Sequence, residues 1–147
     1  MCTGSEPWLN ERVRMSIHAV MKEEEMSDEA AIRDVIKVYF DSMYQSSSDK
    51  VHQAFHPSAA ITGYLGGALQ EMTVDAFADL VAGNQPSDEE KGEPAVLEVL
   101  SLDIAGDTAV ARVRDVYLGT TFLDTLSLLK VDGQWCIYNK LFHVENT

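Results

Sequence analysis

The C-terminal third of the chain consists of four segments in which apolar and polar residues alternate, and this pattern constrains the fold most. The segments are residues 95–104, 108–118, 121–131 and 134–144, separated by the pairs Gly106-Asp107, Gly119-Thr120 and Asp132-Gly133. Each pair suits the two-residue turn that joins neighbouring antiparallel strands, and Asp-Gly is among the strongest signals for such a turn. We therefore predict an antiparallel meander of four strands.

The residues before the meander follow a helical spacing instead. A broad apolar stripe predicts a long helix over residues 28–45, with Ser27-Asp28-Glu29 as its N-terminal cap. A second, short helix is predicted to begin at the cap Asp49, and a third at the cap Thr73. Helices followed by a run of strands indicate the α+β class.

Two segments between these elements are predicted to lack helical structure. Residues 59–65 are expected to be extended and to end in a turn at Gly66-Gly67. Residues 84–94 are expected to form an exposed loop, in which Asp88-Glu89-Glu90 is a solvated run of charge.

The first residues of the chain are predicted to stand apart from the domain. Residues 8–25 have the spacing of a short amphipathic helix. We therefore divide the chain into residues 1–25, an N-terminal extension or helical arm, and residues 26–147, one small-molecule-binding domain. A chain of 147 residues is long enough for a single domain with one hydrophobic core.

The charge balance argues against several classes of partner. The chain has 24 acidic and 11 basic side chains, a formal net charge of -13, which repels nucleic acid and anionic lipid. No apolar run approaches the roughly 20 residues of a membrane span, and no secretory signal is evident. We expect a cytoplasmic protein that binds neither nucleic acid nor membrane.

The predicted turns assign the strand residues to two faces, because side chains alternate from each turn. The expected inner face comprises Ala111, Val113, Asp115, Tyr117, Phe122, Asp124, Leu126, Leu128, Trp135, Ile137, Asn139, Leu141 and His143. The other face carries Arg112, Arg114 and Lys140 but also Leu123 and Phe142, so it is too apolar to be fully solvated. A homodimer through this outer face is the simplest way to cover it.

Three stretches of the sequence resemble the nuclear transport factor 2-like (SnoaL-like) superfamily, and within it the bacterial proteins labelled "putative lumazine-binding". The resemblance covers about residues 28–144, and the residues that carry it are Phe55-His56-Pro57 with Ile61-Thr62-Gly63-Tyr64, then residues 122–128 and 132–143. It implies a cone-shaped α+β fold, in which three N-terminal helices pack on a strongly bent antiparallel sheet that encloses a pocket. Such proteins are usually dimeric through the outer face of the sheet.

Two acidic residues of the expected inner face are the leading catalytic candidates. Asp115 is predicted to lie directly opposite Asp124, and two carboxylates facing each other in a partly dry cavity cannot easily both stay ionised. One of them could then act as a general acid or base. Alternatively, one or both lie in water at the rim of the sheet, or a one-residue bulge turns one outward.

The remaining candidates surround this pair. His143 could transfer protons, or it could be a structural histidine held by a carboxylate. The candidate ligand-binding residues are His56, Tyr64, Tyr117, Phe122, Trp135 and Asn139. No cofactor motif is present, and only His56, Asp115, Asp124 and His143 could converge on a metal, without a spacing that supports it.

Three classes of function remain open. The leading hypothesis is a protein that binds a small, partly apolar molecule in its cavity without catalysis. A proton-transfer enzyme of the isomerase or dehydratase type, using Asp115 or Asp124 with His143 or Tyr64, is the first alternative. The second alternative is a protein interaction module, in which the outer face of the sheet and the N-terminal helix dock onto a different protein. The superfamily that the chain resembles includes enzymes and binding proteins alike, so the fold alone does not decide between these classes.

Overall fold

A computed structural model describes the backbone of residues 11–146 and the side chains of residues 27–145. Three helices and six strands follow one another in the chain as α1 (Glu11–Tyr44), α2 (Ser48–Ala54), β1 (Phe55–Leu65), β2 (Ala68–Thr73), α3 (Val74–Ala82), β3 (Leu97–Ala105), β4 (Thr108–Tyr117), β5 (Thr120–Val131) and β6 (Gln134–Asn146). The predicted α+β class and the four C-terminal strands are confirmed.

The six strands form one open sheet in the order β2-β1-β6-β5-β4-β3. Strands β3 to β6 form the predicted antiparallel meander. The prediction of a purely antiparallel sheet is wrong at one place, because β1 lies parallel to β6. Strand β2, which the sequence analysis did not assign, pairs with β1 across the turn at Gly66-Gly67.

Helix α1 is one continuous helix, so the predicted start at Ser27-Asp28-Glu29 is wrong. Asp28 lies within the helix and contacts the sheet instead, accepting hydrogen bonds from Trp135 Nε1 at 3.1 Å and from Lys130 Nζ at 3.0 Å. The apolar stripe predicted over residues 8–25 lies outside the described side chains. The division between residues 1–25 and 26–147 remains a prediction, and α1 runs across it.

The two shorter helices begin at side chains that accept a backbone hydrogen bond. Thr73 caps α3 as predicted and accepts from the amide of Ala76 at 3.1 Å. The cap of α2 is Ser47 rather than the predicted Asp49, which lies in the first turn of the helix. Both residue types are acceptors for an N-terminal amide, so the sequence fixes the helix start only to within two residues.

The hydrophobic core lies between α1 and the inner face of the sheet, toward the Asp132-Gly133 turn. Its centre is formed by aliphatic side chains that are at most 2% exposed, Ile32, Ile36, Leu126, Leu128 and Ile137. The inner face predicted for β4, for β5 and for β6 as far as Ile137 is therefore confirmed. None of the helices in the described part of the chain combines the length and apolar character that a membrane crossing needs.

The segment between α3 and β3 departs from its prediction as an exposed loop. Asp88 is only 4% exposed. Its Oδ2 accepts a hydrogen bond from the amide of Leu118 at 3.0 Å, and its Oδ1 lies 3.3 Å from Lys91 Nζ. Asp88 therefore ties this segment to the β4–β5 turn, whereas Glu89 and Glu90 are exposed as predicted.

Candidate functional site

The turn between β4 and β5 sets the position of the two aspartates. It consists of Leu118 and Gly119, which both have positive φ, and not of the predicted Gly119-Thr120. Asp115 consequently pairs with Phe122 and Asp124 with Val113, so the predicted direct pairing of the aspartates is wrong. They are diagonal neighbours instead, still on the inner face, because the pairing shifts by two residues and side chains alternate with a period of two.

A β-bulge in β6 reverses the faces of its C-terminal half. Leu128 pairs with Ile137 as predicted, but Ser127 pairs with Asn139, so Tyr138 is an extra residue in the strand. One extra residue exchanges the two faces beyond it. Lys140 and Phe142 are therefore buried on the inner face, while the residues predicted there are exposed, namely Asn139, Leu141 and His143. The inward prediction for these three is wrong.

The two carboxyl groups are completely buried beside a tyrosine. Asp115 and Asp124 are 0% exposed, and Tyr39 Oη on α1 donates to Asp124 Oδ2 at 2.6 Å. Within the described residues, Asp124 Oδ1 and both Asp115 oxygens have no hydrogen-bond partner. Buried polar groups in native proteins are normally paired, so these carboxyl oxygens need a specific explanation, of which a catalytic role is one.

The surroundings of Asp115 favour its protonated form. Burial, followed by the neighbouring Asp124 carboxyl, raises the pKa of Asp115 to about 9, although Lys140 and Tyr39 act in the opposite direction. Burial and the two carboxyl groups also raise the pKa of Tyr39 well above its ordinary value. At neutral pH the pair therefore holds a proton on Asp115.

Lys140 is the cationic side chain of this site. It is 5% exposed, and its ammonium lies 4.7 Å from the ring centres of Tyr39 and Phe77 and 5.8 Å from that of Phe142. We call these three rings the aromatic cage. In the described part of the chain its N–H groups have one hydrogen-bond acceptor, the thioether Met43 Sδ at 3.9 Å. Among those residues the ammonium is therefore held by ring faces and a weak sulfur acceptor, and no oxygen accepts from it.

A pocket opens onto Lys140 from the β1–α3 side of the sheet. Apart from the Lys140 ammonium and the Tyr117 hydroxyl its lining is apolar, and comprises Met43, Ile61, Leu65, Met72, Phe77, Leu80, Tyr117, Phe122, Lys140 and Phe142. Leu65 and Leu80 are 42% and 46% exposed, so they stand at its mouth. The cavity volume is about 70 Å³. Because pockets for drug-sized ligands measure about 300–1,000 Å³, this cavity admits only a small group.

Two predicted ligand-binding residues line this pocket, and four lie elsewhere. Tyr117 and Phe122 are in the lining, and Tyr117 Oη accepts from Asn84 Nδ2 at 2.6 Å. His56 stacks on the ring of Tyr138 at 4.7 Å, and Tyr64 is 64% exposed. Trp135 and Asn139 also lie outside the lining, Trp135 at the opposite end of the sheet beside Asp28 and Asn139 exposed beyond the bulge.

The sequence analysis missed Lys140 and the role of Tyr39. Lys140 was placed on the outer face because the bulge at Tyr138 has no sequence signal here, as Leu141 and Phe142 are both apolar. Tyr39 was assigned only to the apolar stripe of the helix. Within the described residues, no group of three or more His, Cys, Asp or Glu side chains converges as a metal site would require.

Comparison with known proteins gives the family of this fold and site. A family model described as "Putative lumazine-binding" matches residues 27–143. A curated protein called aldolase FrzH, from Cladobotryum sp, is 28% identical over 105 residues, which cover 71% of this chain and 82% of that protein.

Solved structures of similar fold include nuclear transport factor 2-like proteins of unknown function. One from Methylobacillus flagellatus is 30% identical with a TM-score of 0.72, covering 81% of this chain and 93% of that one. Another from Silicibacter pomeroyi is 23% identical with a TM-score of 0.76, covering 82% of this chain and 98% of that one. The chain therefore belongs to the family described as "Putative lumazine-binding", within the nuclear transport factor 2-like superfamily.

Proposed function

We propose that this chain is a proton-transfer enzyme. Its substrate is a small carbonyl compound bound in the pocket, from which it removes a proton on the carbon next to the carbonyl group. The observation that carries the proposal is the buried pair of Asp115 and Asp124, both of which have carboxyl oxygens without a hydrogen-bond partner in the described residues. The raised pKa of Asp115 favours a proton on it. Burying two carboxyl groups without full hydrogen bonding is costly for stability, and such strain is concentrated at functional sites.

The pair and Lys140 divide the chemistry between them. A protonated Asp115 is a proton donor, while Asp124, which accepts from Tyr39, offers a second oxygen that can take a proton. The Lys140 ammonium provides positive charge at the pocket floor, where it draws electrons from a carbonyl group. Together these groups favour removal of a proton from the carbon next to that carbonyl.

The similarity to a protein called an aldolase supports this reaction class. An aldol reaction begins with the removal of a proton next to a carbonyl group, and an isomerase of carbonyl compounds shares that step. The cavity volume of about 70 Å³ indicates that only the carbonyl end of the substrate enters the floor. The rest of the molecule would lie against Leu65 and Leu80 at the mouth.

Exchange of carbon-bound hydrogen for deuterium tests the proposal. Butanone in deuterated buffer, followed by proton NMR, should lose its signal next to the carbonyl faster with the protein than without it. Asp115→Asn and Asp124→Asn should each lower the rate about 100-fold or more. Asp103→Asn, at an exposed position of β3, is the matched control and should exchange like the unchanged protein. Equal rates with and without protein would exclude the proposal for this substrate class.

Binding without catalysis is the second candidate. It is favoured by the lining of the pocket, in which Lys140 takes part but neither Asp115 nor Asp124 does. In that case saturation-transfer NMR should detect butanone on the protein, and Lys140→Met should abolish the signal, while no exchange occurs. Detectable exchange that Asp124→Asn removes would rule this candidate out.

We further propose that the outer face of the sheet joins two copies of the chain. Val110 and Leu141 are 44% and 56% exposed on this face, and a second copy of the chain would cover these apolar side chains. Sedimentation should give a dimer that Leu141→Glu converts to a monomer. Leu80→Glu, at the equally exposed pocket mouth, should remain dimeric. A monomeric unchanged protein would point instead to a different protein as the partner of this face.

A further inference from the structure

We propose that Lys140 forms a Schiff base with the carbonyl carbon of an aldehyde or ketone bound in the pocket. The proposal deepens the proposed function and rests on it for the substrate class, but it assigns a covalent step to a residue that the proton-transfer reaction does not by itself require. It starts from Lys140, a basic residue among those that line the pocket.

The surroundings of Lys140 favour a role as a nucleophile over a role as the cation of an ion pair. The side chain is 95% buried, and its N–H groups meet the aromatic cage and Met43 Sδ rather than a carboxylate oxygen. A lysine in a largely apolar pocket is the arrangement that enzymes use for imine formation. Among the described residues the nitrogen makes no strong hydrogen bond that would have to break before it attacks a carbonyl carbon.

The neighbouring carboxyl pair can move the protons that the reaction requires. The ammonium gives one proton to the pair, and the freed nitrogen lone pair forms a bond to the carbonyl carbon. The carbonyl oxygen then receives one proton from the nitrogen and one from the carboxyl pair. It leaves as water when the carbon–oxygen bond breaks. Overall, an ammonium and a carbonyl compound become an iminium and water, so the charge of the site does not change.

The aromatic cage can stabilise the iminium product as well as the Lys140 ammonium. An iminium keeps its positive charge at the position of the ammonium, where the faces of Tyr39, Phe77 and Phe142 stabilise a cation. The iminium also draws electrons from the adjacent carbon more strongly than a hydrogen bond does. This carbon then loses its proton to the carboxyl pair more readily, which links the covalent step to the proposed proton transfer.

Reductive trapping with a named probe tests the Schiff base directly. The intact protein is incubated with butanone and borohydride, and mass spectrometry measures the addition of one reduced butyl group. Peptide mapping of the unchanged protein should place that group on Lys140. Lys140→Arg, which keeps a cation but cannot form an imine, should lose the label at least tenfold, and Lys37→Arg, at an exposed lysine of α1, should retain it.

The outcomes separate this inference from the proposed function. Label on Lys140 together with deuterium exchange supports both proposals, and label without exchange supports the Schiff base alone. Exchange that persists in Lys140→Arg, with no label on Lys140 in the unchanged protein, overturns the Schiff base and leaves the proton-transfer enzyme. Label distributed over exposed lysines with none on Lys140 also overturns the Schiff base. This result comes from the unchanged protein, so it does not depend on whether a variant folds.

Discussion

Asp28 and Asp115 are the same residue type at opposite ends of the domain, and their surroundings shift their pKa values in opposite directions. Asp28 accepts hydrogen bonds from Trp135 and Lys130, which lower its pKa below the ordinary 3.8. Asp115 is fully buried without a hydrogen-bond partner in the described structure, and burial raises its pKa to about 9. At one end the fold provides a carboxylate with hydrogen-bond donors, and at the other it buries a carboxyl group without them.

The difference separates a stabilising end of the inner face from a reactive one. Near the Asp132-Gly133 turn the face is covered by aliphatic side chains, and Asp28 joins α1 to the sheet. Near the Leu118-Gly119 turn the same face carries Asp115, Asp124 and, through the bulge, Lys140 beside a pocket. Proteins that place unpaired polar groups at a site lose stability there, and a well-packed remainder offsets the loss.

The largest effect should come from a cavity at the stabilising end. Leu126 is 0% exposed in the aliphatic core. Leu126→Ala should lower the free energy of unfolding by about 2–5 kcal/mol, because it removes buried methyl groups and leaves a cavity. Urea unfolding measures the change. Leu141→Ala, at a position that is 56% exposed, is the control. It should change the free energy of unfolding by less than about 1 kcal/mol when the protein is measured as a monomer.

A smaller loss is expected from the contact between β1 and the pocket wall. A Cβ on Gly63 would collide with the carbonyl oxygen of Phe142 and lie 2.6 and 2.7 Å from its ring carbons. Gly63→Ala should therefore destabilise the fold by about 1–3 kcal/mol through overpacking and displace the Phe142 ring from the pocket. Gly67→Ala meets no atom within 4 Å, and its cost should come only from the positive φ of 81°. Equal losses in both variants would contradict the packing argument.

Removing the carboxyl group of Asp115, whose pKa is raised, should increase the free energy of unfolding rather than lower it. Between pH 4 and 9 Asp115 is protonated in the folded chain and ionised in the unfolded chain, so unfolding releases a proton and wild-type stability falls as pH rises. Asp115→Asn should abolish this dependence and raise the free energy of unfolding at pH 8 by about 1–3 kcal/mol. Unfolding curves from pH 4 to 9 test it. A variant that is less stable than the unchanged protein at pH 8 would refute this account of the reactive end.

The smallest effect should come from Asp28, with the opposite dependence on pH. Its lowered pKa contributes stability above about pH 4 that is lost as the pH falls through the folded-state pKa. Asp28 is partly exposed, so solvent screens the contribution, and Asp28→Asn should cost less than about 1 kcal/mol at pH 7. Exposed Asp103→Asn should cost nothing measurable by the same unfolding assay. A loss as large at pH 3 as at pH 7 would contradict the ionic origin.

The sequence predicted the four C-terminal strands correctly, and also the inner face of β4, of β5 and of β6 as far as Ile137, because these properties are local. Turn residues and a period of two place Val113, Leu126 and Ile137 inward without knowledge of any partner. The same counting brought Asp115 and Asp124 to one face, since an error of one residue in the turn shifts the pairing by an even number. Residues near a strong turn signal are therefore the most predictable part of the candidate site.

Non-local packing decided the rest. The bulge at Tyr138 depends on how β6 bends against both β5 and β1, and it alone brings Lys140 inside and takes His143 out. The pairing of β1 with β6 joins residues far apart in the chain, and the contact of Tyr39 with Asp124 joins residues 85 positions apart. Sequence by itself determined the fold class, the aliphatic core and the buried aspartates. Only the tertiary structure chose the cation beside them, because one extra residue in a strand exchanges its faces without altering its composition.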